Sequence, residues 1–205
     1  QIYDFIFLTV RENQLYQALT ELKSNKSKTI VTMVNSLDNY EKWESIVGKG
    51  RILPAFPGAG GTITNNILDA ALTPRLIQPT TFSEILGKKT KRTEQLSQIL
   101  KHAHIPFQLV NNMHIWQLCH LGMVVSLADA YYQTENPESV GQDKVVMRRT
   151  ARQLKDNFIF YTKISTPYHQ LRCIYSATYQ HLYSHIFCLK LSKAILEKNS
   201  CISMR

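Results

Sequence analysis

The sequence predicts an α/β fold: a layer of parallel strands, followed by an all-α region. Three observations lead there. Apolar runs alternate with helically spaced segments over residues 1–56, as β-α-β-α-β units do. Those runs are apolar at successive positions rather than at every second one, as in strands covered on both faces. After Asn111-Asn112 the pattern turns helical.

Taken in order, Ile2-Tyr3-Asp4-Phe5-Ile6-Phe7-Leu8-Thr9-Val10 reads as a buried strand. Leu15, Leu19 and Leu22 recur at helical spacing and predict a helix over 13–23. Residues 29–34 (TIVTMV) form a second strand. Asp38, with Glu41 three residues on, predicts a capped helix over 39–47, ended by Gly48 and Gly50. Residues 51–56 form a third strand, and Pro54 argues for an edge or irregular position. Two further strands are expected over 62–70 and 75–85. Thr93 is expected to cap a helix over 94–103, and a short strand comes next at 106–110. The run 113–132 reads as a long helix with Ile115, Cys119, Gly122, Val125 and Ala128 facing inward. Residues 133–142 form a polar loop, and helices are expected over 143–162 and 168–198, parted by Ser165-Thr166-Pro167. A domain boundary is placed near residue 111. It separates an α/β domain over 1–111 from a helical domain over 112–205, both expected to be incomplete. The run beginning at Gln1 already stands at the edge of a strand, which suggests a piece of a longer protein.

Composition removes several classes. With 205 residues, 44% hydrophobic and 19% charged, the chain can bury a core and is not disordered. Cys119, Cys173, Cys188 and Cys201 stand far apart without a C-x-x-C, which argues against a disulfide framework and a cysteine zinc site. His181 and His185 are one helical turn apart but lack a third ligand, so no metal is expected. The net charge of +9 is lopsided. Residues 1–141 hold 13 basic and 12 acidic residues; residues 142–205 hold 11 and 3. The basic tail reads first as a solvated face, so nucleic acid is not expected as the main partner. The stretch 173–189 lacks Asp, Glu, Lys and Arg, yet its His, Gln and hydroxyl residues make it a poor membrane span. No signal peptide is seen, and a cytoplasmic location is expected.

Ligands of open α/β sheets bind beyond the carboxyl ends of the strands. Here those ends carry Arg11 with Gln14, then Asn35, then Pro57-Gly58-Ala59-Gly60-Gly61. A cation can hold a phosphate, Asn35 can bond a ribose or nicotinamide group, and glycines let backbone approach a ligand. Polar residues also come after strands simply because loops are wet, and a glycine run can be a plain turn. The glycines do not form G-x-G-x-x-G, since the sixth position is Ile63. His102, His104 and His114 are scattered; His120 is a candidate for facing the cleft.

The strings Tyr3-Asp4-Phe5-Ile6-Phe7-Leu8-Thr9-Val10-Arg11-x-x-Gln14, Val34-Asn35-Ser36, Phe56-Pro57-Gly58-Ala59-Gly60-Gly61, Leu76-Ile77-Gln78-Pro79-Thr80-Thr81 and Asn112-Met113-x-x-Trp116 occur in that order. Together they resemble the ketopantoate reductases (2-dehydropantoate 2-reductases) over residues 1 to about 132. The resemblance implies a partial Rossmann-type NADP-binding domain followed by a helical domain. It implies NADPH as cofactor and a small 2-keto acid as substrate in the cleft between the two, with Arg11, Gln14, Asn35, Gly58 and Gly60 near the cofactor and Asn35 near the chemistry. Pantothenate biosynthesis would be its pathway. The chain departs from the family at three points. The G-x-G-x-x-G strand-turn-helix is absent, Leu118 stands where the family carries its catalytic lysine, and Gly122 stands where many members have Asn. A weak or inactive enzyme is therefore expected. An open apolar sheet edge in such a piece is also expected to favour a homo-oligomer. Two alternatives stay open. One is a reductase of another 2-keto acid with His120 as proton donor; the other is a non-catalytic protein that binds partners or nucleic acid through its basic C-terminal helices.

Overall fold

The computed structural model describes residues 1–134 and 136–164, and their side chains except at Pro137, Phe158 and 161–164. The helix expected over 168–198, the Ser165-Thr166-Pro167 break, His181, His185, the stretch 173–189 and three of the four cysteines lie outside the described residues. The chain divides into two compact units, the first Gln1–Leu118 and the second beginning at Cys119.

The first unit holds a five-stranded sheet, in the order β1 (Ile6–Leu8), β2 (Ile30–Thr32), β3 (Ile52–Phe56), β6 (Thr80–Phe82), β7 (Phe107–Leu109). β1, β2 and β3 run parallel, with Ile6, Ile30 and Ile52 in one row and Leu8, Thr32 and Pro54 in another. β6 runs antiparallel to β3, and β7 parallel to β6, so the sheet is mixed rather than wholly parallel. The predicted strands are longer than the paired ones because an apolar run extends past the residues that find a ladder partner.

One face of the sheet is covered by α1 (Leu15–Glu21) and α2 (Tyr40–Val47). Leu15, Leu19, Tyr40, Trp43 and Val47 pack there on Leu8, Ile30, Val34 and Ile52, together with Met113. The other face receives α3 (Lys91–His102), whose Leu96 and Leu100 pack on Val31, Leu53, Ala55 and Phe82. Adjacent residues Ile30 and Val31 thus serve opposite cores, which is why these strands read as unbroken apolar runs.

Several sequence expectations shift. Pro54 lies in the central strand, not at an edge. Its carbonyl accepts from Ser83 N–H at 3.2 Å, just past the last β3–β6 pair, Ala55 with Phe82. The missing N–H therefore falls where that ladder ends, and costs little. Asn39, not Asp38, caps α2, accepting from Glu41 N–H at 3.0 Å. The Asp38 carboxylate instead accepts from Tyr16 Oη (2.7 Å) and Lys42 Nζ (3.2 Å). Thr90, not Thr93, caps α3, and Thr93 answers it as the second half of a capping box. The strand expected over 62–70 is split by a turn. β4 (Ala59–Thr64) and β5 (Ile67–Leu72) form a separate antiparallel hairpin around Asn65 and Asn66, both at positive φ (51° and 61°). Of the expected strand 75–85 only Thr80–Phe82 pairs.

α4 (Met113–Tyr132) begins where Asn112 Oδ1 accepts from Ile115 N–H at 3.0 Å, as the change of pattern at Asn111-Asn112 predicts. Ile115, Cys119 and Gly122 are buried, as expected. Val125 is 61% exposed, and Ser126 and Ala130 take the inward places instead. A step of four after Gly122, rather than three, keeps the stripe on one face as the helix advances. In the second unit α5 (Lys144–Ile164) is tied to α4. Asn157 Nδ2 donates to Gly122 O (3.2 Å) and Ser126 Oγ (3.0 Å), and Gln153 Nε2 to Asp129 Oδ2 (2.8 Å). No helix among the described residues is long and apolar enough to cross a membrane.

Candidate functional site

Because β1, β2 and β3 are parallel neighbours, their carboxyl ends share one edge. The row Leu8, Thr32, Pro54 sets the register, and the residues three positions past it are Arg11, Asn35 and Pro57, with Gly58 next. The sheet thus brings Arg11, Asn35 and Gly58 to a common rim.

Arg11 is exposed there. Gln14 is exposed too, and its Oε1 faces Arg11 N–H at 3.4 Å, so one end of this amide is occupied locally. Asn35 is half-buried, and its Oδ1 is closed to solvent with no hydrogen-bond partner. An enclosed carboxamide oxygen without a donor costs on the order of 1–3 kcal/mol, a cost relieved when the half-buried side chain turns to meet a ligand's hydroxyl or amide at the rim. The chemistry suits a ribose hydroxyl or a carboxamide.

The loop carrying Asn35 is held from below by residues that the sequence pattern does not single out. Tyr40 Oη donates to Gln117 Oε1 at 2.6 Å, and Gln117 Nε2 donates to Val34 O at 2.9 Å. Both side chains are buried. The carboxamide of Gln117 therefore grips the carbonyl just before Asn35, and Tyr40 fixes the carboxamide. Burial pushes the Tyr40 phenol well above its ordinary range, so it stays a neutral donor. The His114 ring meets Tyr40 edge-on at 5.7 Å, and burial lowers its pKa. The one signal for this network is Gln117 itself, a polar residue between the apolar pairs Ile115-Trp116 and Leu118-Cys119.

The glycine string behaves differently from a loop. Gly60 and Gly61 belong to β4, and a Cβ at Gly60 would meet open space. At Gly58 the close approach is made by the chain's own backbone. A Cβ there would lie 2.4 Å from Thr80 N and 2.5 Å from Pro79 C, and Gly58 N–H donates to Thr80 Oγ1 at 3.0 Å. The Phe-Pro-Gly-Ala-Gly-Gly and Ile-Gln-Pro-Thr-Thr strings are thus two sides of one tight contact. Phe56, from the first of these, and Trp116, from the Asn112 string, have ring centroids 5.4 Å apart.

No protein-family model matches the chain, and no curated protein matches it in sequence. Solved structures do match. A 2-dehydropantoate 2-reductase from Porphyromonas gingivalis W83 superposes with a TM-score of 0.64 at 12% identity, covering 93% of this chain and 68% of that one. The fold is Rossmann-like. A second 2-dehydropantoate 2-reductase, from Geobacter metallireducens GS-15, gives a TM-score of 0.50 at 12% identity, over 82% of this chain and 64% of that one. At this identity the likeness is one of backbone architecture. The chain spans about two thirds of the length of these two proteins. In this Rossmann-like sheet the rim lies at the carboxyl ends of the parallel strands, the edge such folds use for ligands.

His120 lies in the second unit, on α4, and is buried, with its pKa lowered to about 4 by desolvation. At pH 7 it is a neutral imidazole, able to give or take a hydrogen bond but not to act as a charged proton donor. Its folded pKa lies below the unfolded value of 6.5. The stabilising contribution is therefore complete above pH 6.5 and is lost as pH falls toward 4, an effect on the order of 3 kcal/mol. Urea midpoints, read by helical circular dichroism, are expected to fall across that window, with His120→Gln flattening the fall. An unchanged profile in the variant would reject His120 as the source. Among the described residues, no cluster of His, Cys, Asp and Glu could hold a metal ion.

Proposed function

We propose that the rim bearing Arg11 and Asn35 contacts a nicotinamide dinucleotide, with Gly58 closed off by the 78–80 segment, and that the protein belongs to an NADPH-linked reduction of a 2-keto acid, with 2-dehydropantoate as the first substrate to test. What supports this most is the shared edge: three parallel strands in register bring a cation and an unpartnered buried carboxamide oxygen to one place. The names of the two solved structures agree with it.

On this reading Arg11 holds a phosphate through charge-assisted hydrogen bonds, and the Asn35 carboxamide turns toward the rim to bond a ribose hydroxyl or the nicotinamide amide. Tyr40 and Gln117 position Asn35 without touching the ligand. When bound, the cofactor supplies the hydride. The chain contains no G-x-G-x-x-G, so binding through these residues alone is expected to be weak. Leu118, at the family's lysine position, has no proton to give to a developing alkoxide.

Titrating the chain with NADPH and NADH, read by nicotinamide fluorescence, is expected to show saturable weak binding. Arg11→Ala and Asn35→Ala are each expected to weaken it about tenfold, and Lys101→Ala to leave it unchanged. Absent saturation, or equal affinity in all four proteins, would overturn the reading. With 2-dehydropantoate added, NADPH oxidation is expected to stay at the level of a Leu118→Ala variant.

A further inference from the structure

We infer that the solvent face of α5 is a docking surface for the phosphate backbone of a nucleic acid. The sequence alone reads the basic tail as a solvated face; the structure shows how its cations are arranged. Lys144, Arg148, Arg152 and Lys155 are all exposed and recur at steps of four, four and three, which places them in one stripe along the helix. At 1.5 Å per residue the stripe is about 16 Å long. A line of cations suits a linear polyanion better than a single phosphate group.

The opposite side of α5 is settled. Val146, Thr150 and Leu154 are buried, and Gln153 and Asn157 bond to α4. The stripe is therefore held outward by packing on its far side. Little opposes it. Among the described residues, no ion pair reaches any of the four cations. Asp143 is engaged as the helix cap, accepting from Val145 and Val146 N–H at 2.9 and 3.0 Å. Asp129 accepts from Gln133 and Gln153 and faces Arg149, which lies off the stripe. Asp156 is exposed at the margin of the stripe. Residues 142–205 hold 11 basic against 3 acidic residues, a positive excess that calls for an acidic partner.

Two features favour nucleic acid over a membrane surface. A helix that lies in a bilayer interface needs its apolar face outward, whereas that of α5 is already buried. Among its described residues the large exposed apolar ones, Val145 at one end and Ile159 and Phe160 at the other, form no continuous stripe. Two of the four cations are arginines, whose planar fork matches phosphate oxygens.

The test is fluorescence anisotropy of a labelled 20-nucleotide DNA strand, and of its duplex, with the full chain. Binding is expected to weaken with salt, with a log–log slope of about −3 for four phosphate contacts on the single strand. A variant with Lys144, Arg148, Arg152 and Lys155 all changed to Ala is expected to bind at least tenfold more weakly and to lose most of that slope. A control with Lys23, Lys26, Lys88 and Lys89 changed to Ala removes the same charge and is expected to stay within about threefold of the parent. Replacing only Arg148 and Arg152 with Lys keeps the charge, guards against misfolding, and is expected to retain most of the binding. Equal losses in the stripe variant and the control would overturn the inference. So would no binding at 50 mM salt, or binding to vesicles with 30% anionic lipid but not to the oligonucleotides.

Discussion

Gly58→Ala is expected to destabilise the first unit by about 3 kcal/mol or more. The added methyl would stand 2.4 Å from Thr80 N and 2.7 Å from Gln78 O, all backbone atoms that no side-chain rotation can clear. Either β3 and the 78–80 segment separate, and Gly58 N–H loses Thr80 Oγ1, or the chain strains elsewhere. Gly60 is a built-in control, because a Cβ there meets nothing within 4 Å. Gly60→Ala is expected to stay within about 1 kcal/mol of the parent. Both tryptophans, Trp43 and Trp116, lie in the first unit, so urea unfolding followed by tryptophan fluorescence reads it directly. Equal midpoints for the two variants would disprove the tight contact between the strings.

The second large effect is expected at Arg51. Its guanidinium donates to four backbone carbonyls: Nε to Ser27 O (3.0 Å), Nη1 to Val47 O (2.6 Å) and Leu22 O (3.4 Å), and Nη2 to Asn25 O (2.6 Å). Val47 ends α2 and Leu22 caps α1, so the cation also sits where two helix dipoles present their negative ends. No carboxylate takes part in these four bonds; the acceptors are orphan carbonyls of helix ends and the turn before β2. Arg51→Met removes all four bonds and is expected to cost about 3–5 kcal/mol, since hydrogen bonds to charged groups contribute about 1.5–3 kcal/mol each without adding fully. Arg51→Lys is expected to recover less than half, because an ammonium cannot reach this fork of acceptors. Full recovery by lysine would show that charge alone matters here.

Both effects arise where a sequence pattern and a tertiary contact meet. Gly58 stands out in the sequence as part of a glycine run, but open to a ligand; the 78–80 segment that closes on it is about twenty residues away and its approach has no local signature. Arg51 gives no sign at all, since its partners are backbone carbonyls, which every residue carries. The same holds for the site. Arg11 and Asn35 are legible because parallel strands impose a common edge. Tyr40 and Gln117, 77 positions apart, are not, because their bond depends on how α4 meets the end of β2.

Local pattern was enough to establish the alternation of strands and helices, the parallel run of β1 to β3, the edge on which their loops meet, and the helical character of the chain beyond residue 112. These depend on local period and on the double-sided burial of Ile30, Val31, Ile52 and Leu53, which is written in successive residues. Long-range packing was needed for the rest: that β6 reverses, that Pro54 is central, that Asn35 Oδ1 is enclosed without a donor, and that α5 turns its cations outward. Each of these depends on which distant backbone or side chain fills the remaining space. Contacts between segments far apart in the chain settle that, and no periodicity within a segment encodes it.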